Sequence, residues 1–235
     1  MPGGGMPGGM GGQRPQGAPQ GGPQGGGMPR MGGGMPGGMG GGMPQMGGGG
    51  MSMGDPAGLK QALEWAIAQN ADKESPFYGR IDTDAIAAAG MSCGGLQTLD
   101  NSADPRFKTL MIMNSGLFVN PMGAMPGMPM PEKEKLQDIK VPVIYILGGE
   151  EDIAYGNGMD DFFRLKNVPA VAANYPVGHG GTYREPHGGE FTVPALAWLQ
   201  WQLQGDTAAA EMFKGSPCGL ALRKGWTVEK NQLID

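Results

Sequence analysis

Histidine and cysteine are scarce in this chain of 235 residues, with two of each. Cys93 and Cys218 alone give no disulfide framework to read. No apolar run reaches 18 residues, which excludes a membrane-spanning helix from the expected elements. The first residues carry neither the charged region nor the apolar stretch of a signal peptide. Basic charge is also short. Lys and Arg number 17 against 22 Asp and Glu, a net charge of -5 with a pI near 5.1. That balance argues against a nucleic-acid partner.

The shortages are sharpest at one end. Residues 1–54 hold no aromatic residue, no aliphatic residue larger than alanine apart from methionine, and two charges, Arg14 and Arg30. More than half of the 47 glycines and more than half of the 20 methionines lie there. Such a stretch cannot bury enough apolar surface to offset the entropy of ordering its backbone, so it is expected to be disordered. The glycines do not recur strictly at every third residue, which rules out collagen. Met28, Met31, Met35, Met39 and Met43 could offer thioethers to Cu(I), although a flexible low-complexity insert is the simpler reading. Residues 55–235, about 180 in all, remain for one folded domain.

Within that domain strands and helices alternate. Asp55 caps a helix with Pro56 at its first position, and Leu59, Leu63 and Ile67 share one face as far as Asn70. Ser75–Gly79 reads as a loop and Asp82–Asp84 as a turn. Strands are expected at Ala85–Ala89, Thr109–Asn114, Val141–Leu147 and Ala170–Tyr175. Helices are expected at Gly94–Ser102, Asn157–Lys166 and Glu190–Leu203, the last amphipathic through Phe191, Leu196, Leu199 and Leu203, and a charged helical turn at Glu132–Ile139. A Met- and Pro-rich loop spans Asn120–Pro131. The alternation predicts a mostly parallel sheet with flanking helices, an α/β fold.

Gly90-Met91-Ser92-Cys93-Gly94 reads G-x-S-x-G between the first strand and the helix after it. This is the context of a nucleophile elbow. The turn strains the serine backbone, and the glycines on either side, Gly90 and Gly94, are expected to avoid collisions that a Cβ would cause. The N–H of Cys93 would donate to an oxyanion. Its thiol should point into packed surroundings as a small filler.

Polar residues follow two later strands. Asp152 comes after Ile146-Leu147-Gly148-Gly149, and His179 follows the last strand in Val177-Gly178-His179. Functional residues in such sheets collect at the carboxyl ends of strands. A serine hydroxyl needs a base, which His179 can supply, and Asp152 would hold the imidazole in its tautomer. His187 is an alternative base. Glu150, Glu151, Asp160 and Asp161 compete with Asp152 for the acid.

The stretches DTDAIAAAGMSCGG, VPVIYILGGEEDIAY, NYPVGHGGTY and ALAWLQWQLQGD resemble the carboxy-terminal half of α/β-hydrolase esterases. The nearest branch is that of dienelactone, cutinase-like and polyester hydrolases and acetylhydrolases. The resemblance implies a partial α/β-hydrolase over residues 55–235 with Ser92 as nucleophile, Asp152 as acid and His179 as base. It also implies a serine carboxylic-ester hydrolase that needs no metal or cofactor and takes a small-molecule or polymeric ester. A cysteine in the tail of such enzymes is often disulfide-paired, which for Cys218 hints at export. The strands that precede the elbow in that family, with the loop donating a second oxyanion N–H, are not in this sequence. The chain is therefore expected to be the distal part of a longer enzyme, an incomplete sheet of about four strands with one unpaired edge, and a poor catalyst alone. A non-catalytic remnant with an interacting low-complexity arm is the competing reading.

Overall fold

The buried strands sort their side chains by parity. Val143, Tyr145 and Leu147 face one apolar cluster, and Ile144 and Ile146 face another. Leu110 and Ile112 join the first cluster and Met111 the second, while Ala170 and Ala172 oppose Val171 and Ala173. Side chains alternate at every residue along a strand, so a strand that is apolar throughout must be covered on both faces. The computed structural model describes residues 57–120 and 131–234 of this chain, all within a single compact unit. The segment expected to be disordered, residues 1–54, lies outside the described residues. So do Asp55, Pro56 and residues 121–130 of the Met- and Pro-rich loop.

Five strands form one sheet in chain order: β1 (Ile86–Met91), β2 (Phe107–Met113), β3 (Val143–Leu147), β4 (Ala170–Asn174) and β5 (Thr227–Lys230). The first four pair in parallel and β5 pairs antiparallel with β4. On one face lie α1 (Ala57–Ala71), α2 (Cys93–Asp100) and α3 (Tyr155–Arg164), which pack Leu59, Leu63, Leu96, Leu99, Met159 and Phe162 on the first cluster. On the other face α4 (Thr192–Gln204) brings Ala197 and Trp198, and the tail brings Phe213, Leu220 and Trp226. The result is a three-layer α/β arrangement with the strand–turn–helix order of a partial α/β-hydrolase fold. Among the described residues no helix is long and apolar enough to cross a membrane.

Several boundaries differ from the sequence expectation. β1 runs on through Gly90 and Met91 to the edge of Ser92, because both residues stay in register with Ile112 and Met113 of β2. The charged helical turn expected at 132–139 is a 3-10 helix, Lys133–Asp138. The helix expected from Glu190 begins instead at Thr192, after a short segment, Pro186–Phe191, in which His187, Gly188 and Gly189 take positive φ. Pro194 then sits in the first turn of α4, where its missing N–H has no intrahelical bond to make. Leu196 was expected on the buried face of that helix but is 53% exposed. The docking face is set by Pro194, Ala197 and Trp198. The indole N–H of Trp198 donates to Thr109 Oγ at 2.7 Å, and that hydroxyl donates to the carbonyl of Pro142 at 2.8 Å. β5 and the short helix α5 (Thr207–Ala210), capped by Asp206, were not expected.

Candidate active site

Ser92, Asp152 and His179 each follow the carboxyl end of a strand, β1, β3 and β4 in turn. Ser92 follows β1 with φ 53 and ψ -118, a region that side chains other than glycine rarely adopt. Its N–H donates to the carbonyl of Met113 at 3.0 Å, and its own carbonyl accepts from Ser115 Oγ at 2.7 Å. The end of β2 therefore braces the strained turn from the side.

The glycine requirement differs in part from the expectation. A Cβ on Gly90 would lie 2.1 Å from the carbonyl carbon of Gly94, so Gly90 is needed. A Cβ on Gly94 would meet nothing within 4 Å. The second tight approach is at Gly95, which abuts Ser115. Cys93 is half-buried and lines the cleft beside Ser92, in contrast to the fully buried filler expected. Its N–H opens α2, where helix geometry leaves the first donors without intrahelical acceptors.

Asp152 and His179 reach the same point from the ends of β3 and β4. The two loops are stitched together there. Gly148 accepts from the N–H of Val177 at 3.0 Å and of Gly178 at 2.8 Å, and a Cβ on Gly148 would lie 2.0 Å from the carbonyl oxygen of Gly178. His179 Nδ1 lies 2.7 Å from Asp152 Oδ1, and His179 Nε2 lies 3.0 Å from Ser92 Oγ. An ionised carboxylate can only accept, so Nδ1 carries the ring proton and Nε2 is left to accept from the serine hydroxyl. His187 is exposed on the segment before α4, where its carbonyl accepts from Thr192 Oγ. Glu150 and Glu151 are exposed. Asp160 and Asp161 lie on α3 and pair with Lys133.

Asp152 is fully surrounded by donors. Oδ1 also accepts from the N–H of Ala154 at 2.9 Å, while Oδ2 accepts from the amide of Asn114 at 2.7 Å and the N–H of Gly148 at 3.0 Å. Burial alone would raise its pKa. The bonds from Ala154, His179, Gly148 and Asn114 outweigh it and hold the carboxyl below its ordinary value. Asn114, buried and at φ 42, and Tyr183, whose hydroxyl donates to Asn114 Oδ1, were not singled out from the sequence. One signal was there to read in Asn114, a polar residue closing an apolar strand and of a type that tolerates positive φ.

A cleft of about 250 Å³ opens beside Ser92, with walls from Leu96, Phe118, Ile153 and Ala154. The loop after β2 that carries Phe118 is pinned from α3. Asp161 accepts the N–H of Leu117 at 2.7 Å, and Asn157 Oδ1 accepts that of Val119 at 3.1 Å. Such a site can pass a proton from hydroxyl to imidazole and shelter an apolar group next to the oxygen that loses it. Among the described residues, no three His, Cys, Asp or Glu side chains are grouped so as to hold a metal ion.

No family model matches the chain, and no curated protein matches it in sequence. Solved structures do match in shape. An acylaminoacyl peptidase of Pyrococcus horikoshii aligns at 15% identity over 63% of this chain and 27% of that one, with a TM-score of 0.46. Native sOPH aligns at 14% identity over 76% of this chain and 61% of its own, with a TM-score of 0.45. Native pOPH aligns at 17% identity over 65% and 54%, with a TM-score of 0.42. The chain thus spans 27% to 61% of the length of these three structures.

Proposed function

We propose that this chain is the distal part of a serine hydrolase that cleaves carboxylic esters through an acyl-enzyme. The observation that carries the reading is the continuous path from Ser92 Oγ to His179 Nε2 at 3.0 Å and from His179 Nδ1 to Asp152 at 2.7 Å. Ser92 Oγ attacks the ester carbonyl carbon as His179 Nε2 takes its proton. The carbonyl electron pair moves onto oxygen, where the N–H of Cys93 donates to it. Collapse expels the alcohol, which leaves with the proton held on Nε2. Water then repeats the sequence at the acyl carbon and restores Ser92. Asp152 stays ionised throughout, in keeping with a carboxyl held below its ordinary pKa. The apolar walls of the cleft suit an acyl chain better than a charged one.

The test is burst release of nitrophenol from a short-chain nitrophenyl ester by the full chain, together with intact mass after exposure to a fluorophosphonate. The expected results are a burst equal to the enzyme concentration and one covalent adduct, both abolished in Ser92→Ala. No burst and no adduct would leave the non-catalytic reading standing.

A further inference from the structure

We propose that Asn114 and Tyr183 form an orienting lock on Asp152. Tyr183 fixes which way the Asn114 amide faces, and Asn114 fixes the carboxylate. The inference rests on the serine-hydrolase reading above, in which Asp152 positions His179.

The direction of every bond in the lock follows from what each group can do. A carboxylate only accepts, so the group that Asn114 turns toward Asp152 Oδ2 at 2.7 Å is its NH₂. Its carbonyl oxygen therefore faces Tyr183, and the Tyr183 hydroxyl donates to it. Without that donor, the amide could flip and turn an oxygen toward the carboxylate. Burial and the nearby Asp152 charge both raise the pKa of Tyr183, so its hydroxyl keeps the proton it must donate.

One amide serves two loops. Besides Asp152, the Asn114 NH₂ reaches the carbonyl of Gly178 at 3.3 Å, the residue before His179. Its backbone stays tied to β3, with the N–H donating to Ile146 at 2.8 Å. Asn114 is fully buried at φ 42, a conformation that asparagine accepts more readily than most residues. Tyr183 stands edge-on to Phe191, with ring centroids 5.5 Å apart and planes at 87°. Asp152 Oδ1 is left for His179 and Ala154, and Oδ2 for the lock and Gly148. Both residues are positioning residues, since neither lies in the proton path.

Two variants of the full chain test this. Tyr183→Phe removes the hydroxyl and keeps the ring packing. Asn114→Gly removes the amide while tolerating φ 42. Turnover of nitrophenyl butyrate, thermal melting and the low-field proton resonance of the His179–Asp152 bond are measured for each. Expected are a fall in kcat of about tenfold for Tyr183→Phe and up to about a hundredfold for Asn114→Gly, with KM within about twofold. The resonance is expected to move upfield in both. An unchanged resonance would overturn the lock, as would a kcat that falls only as far as the folded fraction does. The resonance needs no turnover. A wild-type chain inert to ester and fluorophosphonate would therefore refute the hydrolase reading, while the lock is still judged on the resonance.

Discussion

Gly95 packs against Ser115 so closely that a methyl group on it would lie 2.4 Å from Ser115 Cβ and 2.5 Å from its hydroxyl oxygen. That hydroxyl is the one that donates to the carbonyl of Ser92. Gly95→Ala must therefore shift either α2 or the brace on the strained turn. A loss of about 1–3 kcal/mol is expected in urea unfolding. Gly94→Ala adds a Cβ that touches nothing and should be neutral or stabilising by up to about 1 kcal/mol. Equal stabilities for the two variants would contradict this.

Asp161 should make the protein less stable as pH rises through the mildly acidic range. It is fully buried, and burial raises its pKa to about 6 despite Lys133 Nζ at 2.6 Å. A carboxyl with a folded pKa above its unfolded one holds its proton more tightly when folded. Its favourable contribution is therefore present below about pH 4, the unfolded value, and is lost on the way to the folded one. Asp161→Asn should remove a decline on the order of 3 kcal/mol between those limits. Chemical denaturation in steps of pH reads it, and parallel profiles for variant and wild type would refute it.

Asp152 has the opposite sign. Its pKa is lowered on folding, so it stabilises the fold above the ordinary carboxylate range, and that contribution is lost as pH falls through the folded value. Asp152→Asn is expected to be less stable than wild type at neutral pH, with the gap closing in acid. It should also lower kcat roughly a thousand- to ten-thousandfold, because the imidazole loses the partner that fixes its tautomer. Full activity in the variant would remove Asp152 from the proposed relay.

Thr109→Val should destabilise through an orphaned donor. Thr109 Oγ is the acceptor for the Trp198 indole, and both side chains are fully buried between β2 and α4. Valine keeps the shape and deletes the acceptor, at a cost of about 1–3 kcal/mol. Urea unfolding within a few tenths of wild type would show that the indole finds another partner.

The strands carrying Asp152 and His179 were legible because each is a short apolar run that ends in glycine or a turn. β1 was legible only through the serine turn after it, since Ala87, Ala88 and Ala89 are poor strand formers. What makes them suitable is tertiary: Ala88 is buried among Leu96, Leu110 and the rest of the first cluster. β5 escaped notice because three of the four residues of Thr227–Lys230 are polar and none is fully buried, and it pairs with β4 from more than fifty residues away. The same distance hid the roles of Ser115, Asn114 and Tyr183. No local pattern says that Asn114 meets Asp152 and Tyr183, 38 and 69 residues along the chain. Gly94 and Gly95 are adjacent and alike in the sequence, and only the packing of Ser115 tells them apart.

β3 and β4 each have a hydrogen-bonded strand on both sides, whereas among the described residues β1 is bonded to β2 alone. Protection against amide hydrogen exchange should be graded accordingly. It should be deep along β3 and β4 and shallower at Ile86–Met91, where opening needs one ladder broken instead of two. The three site residues are thus mounted on supports of unequal stiffness. A fluctuation that frays the margin carries Ser92 away from a His179–Asp152 pair that remains assembled. Warming or mild denaturant should therefore disable the nucleophile while most of the molecule is still folded.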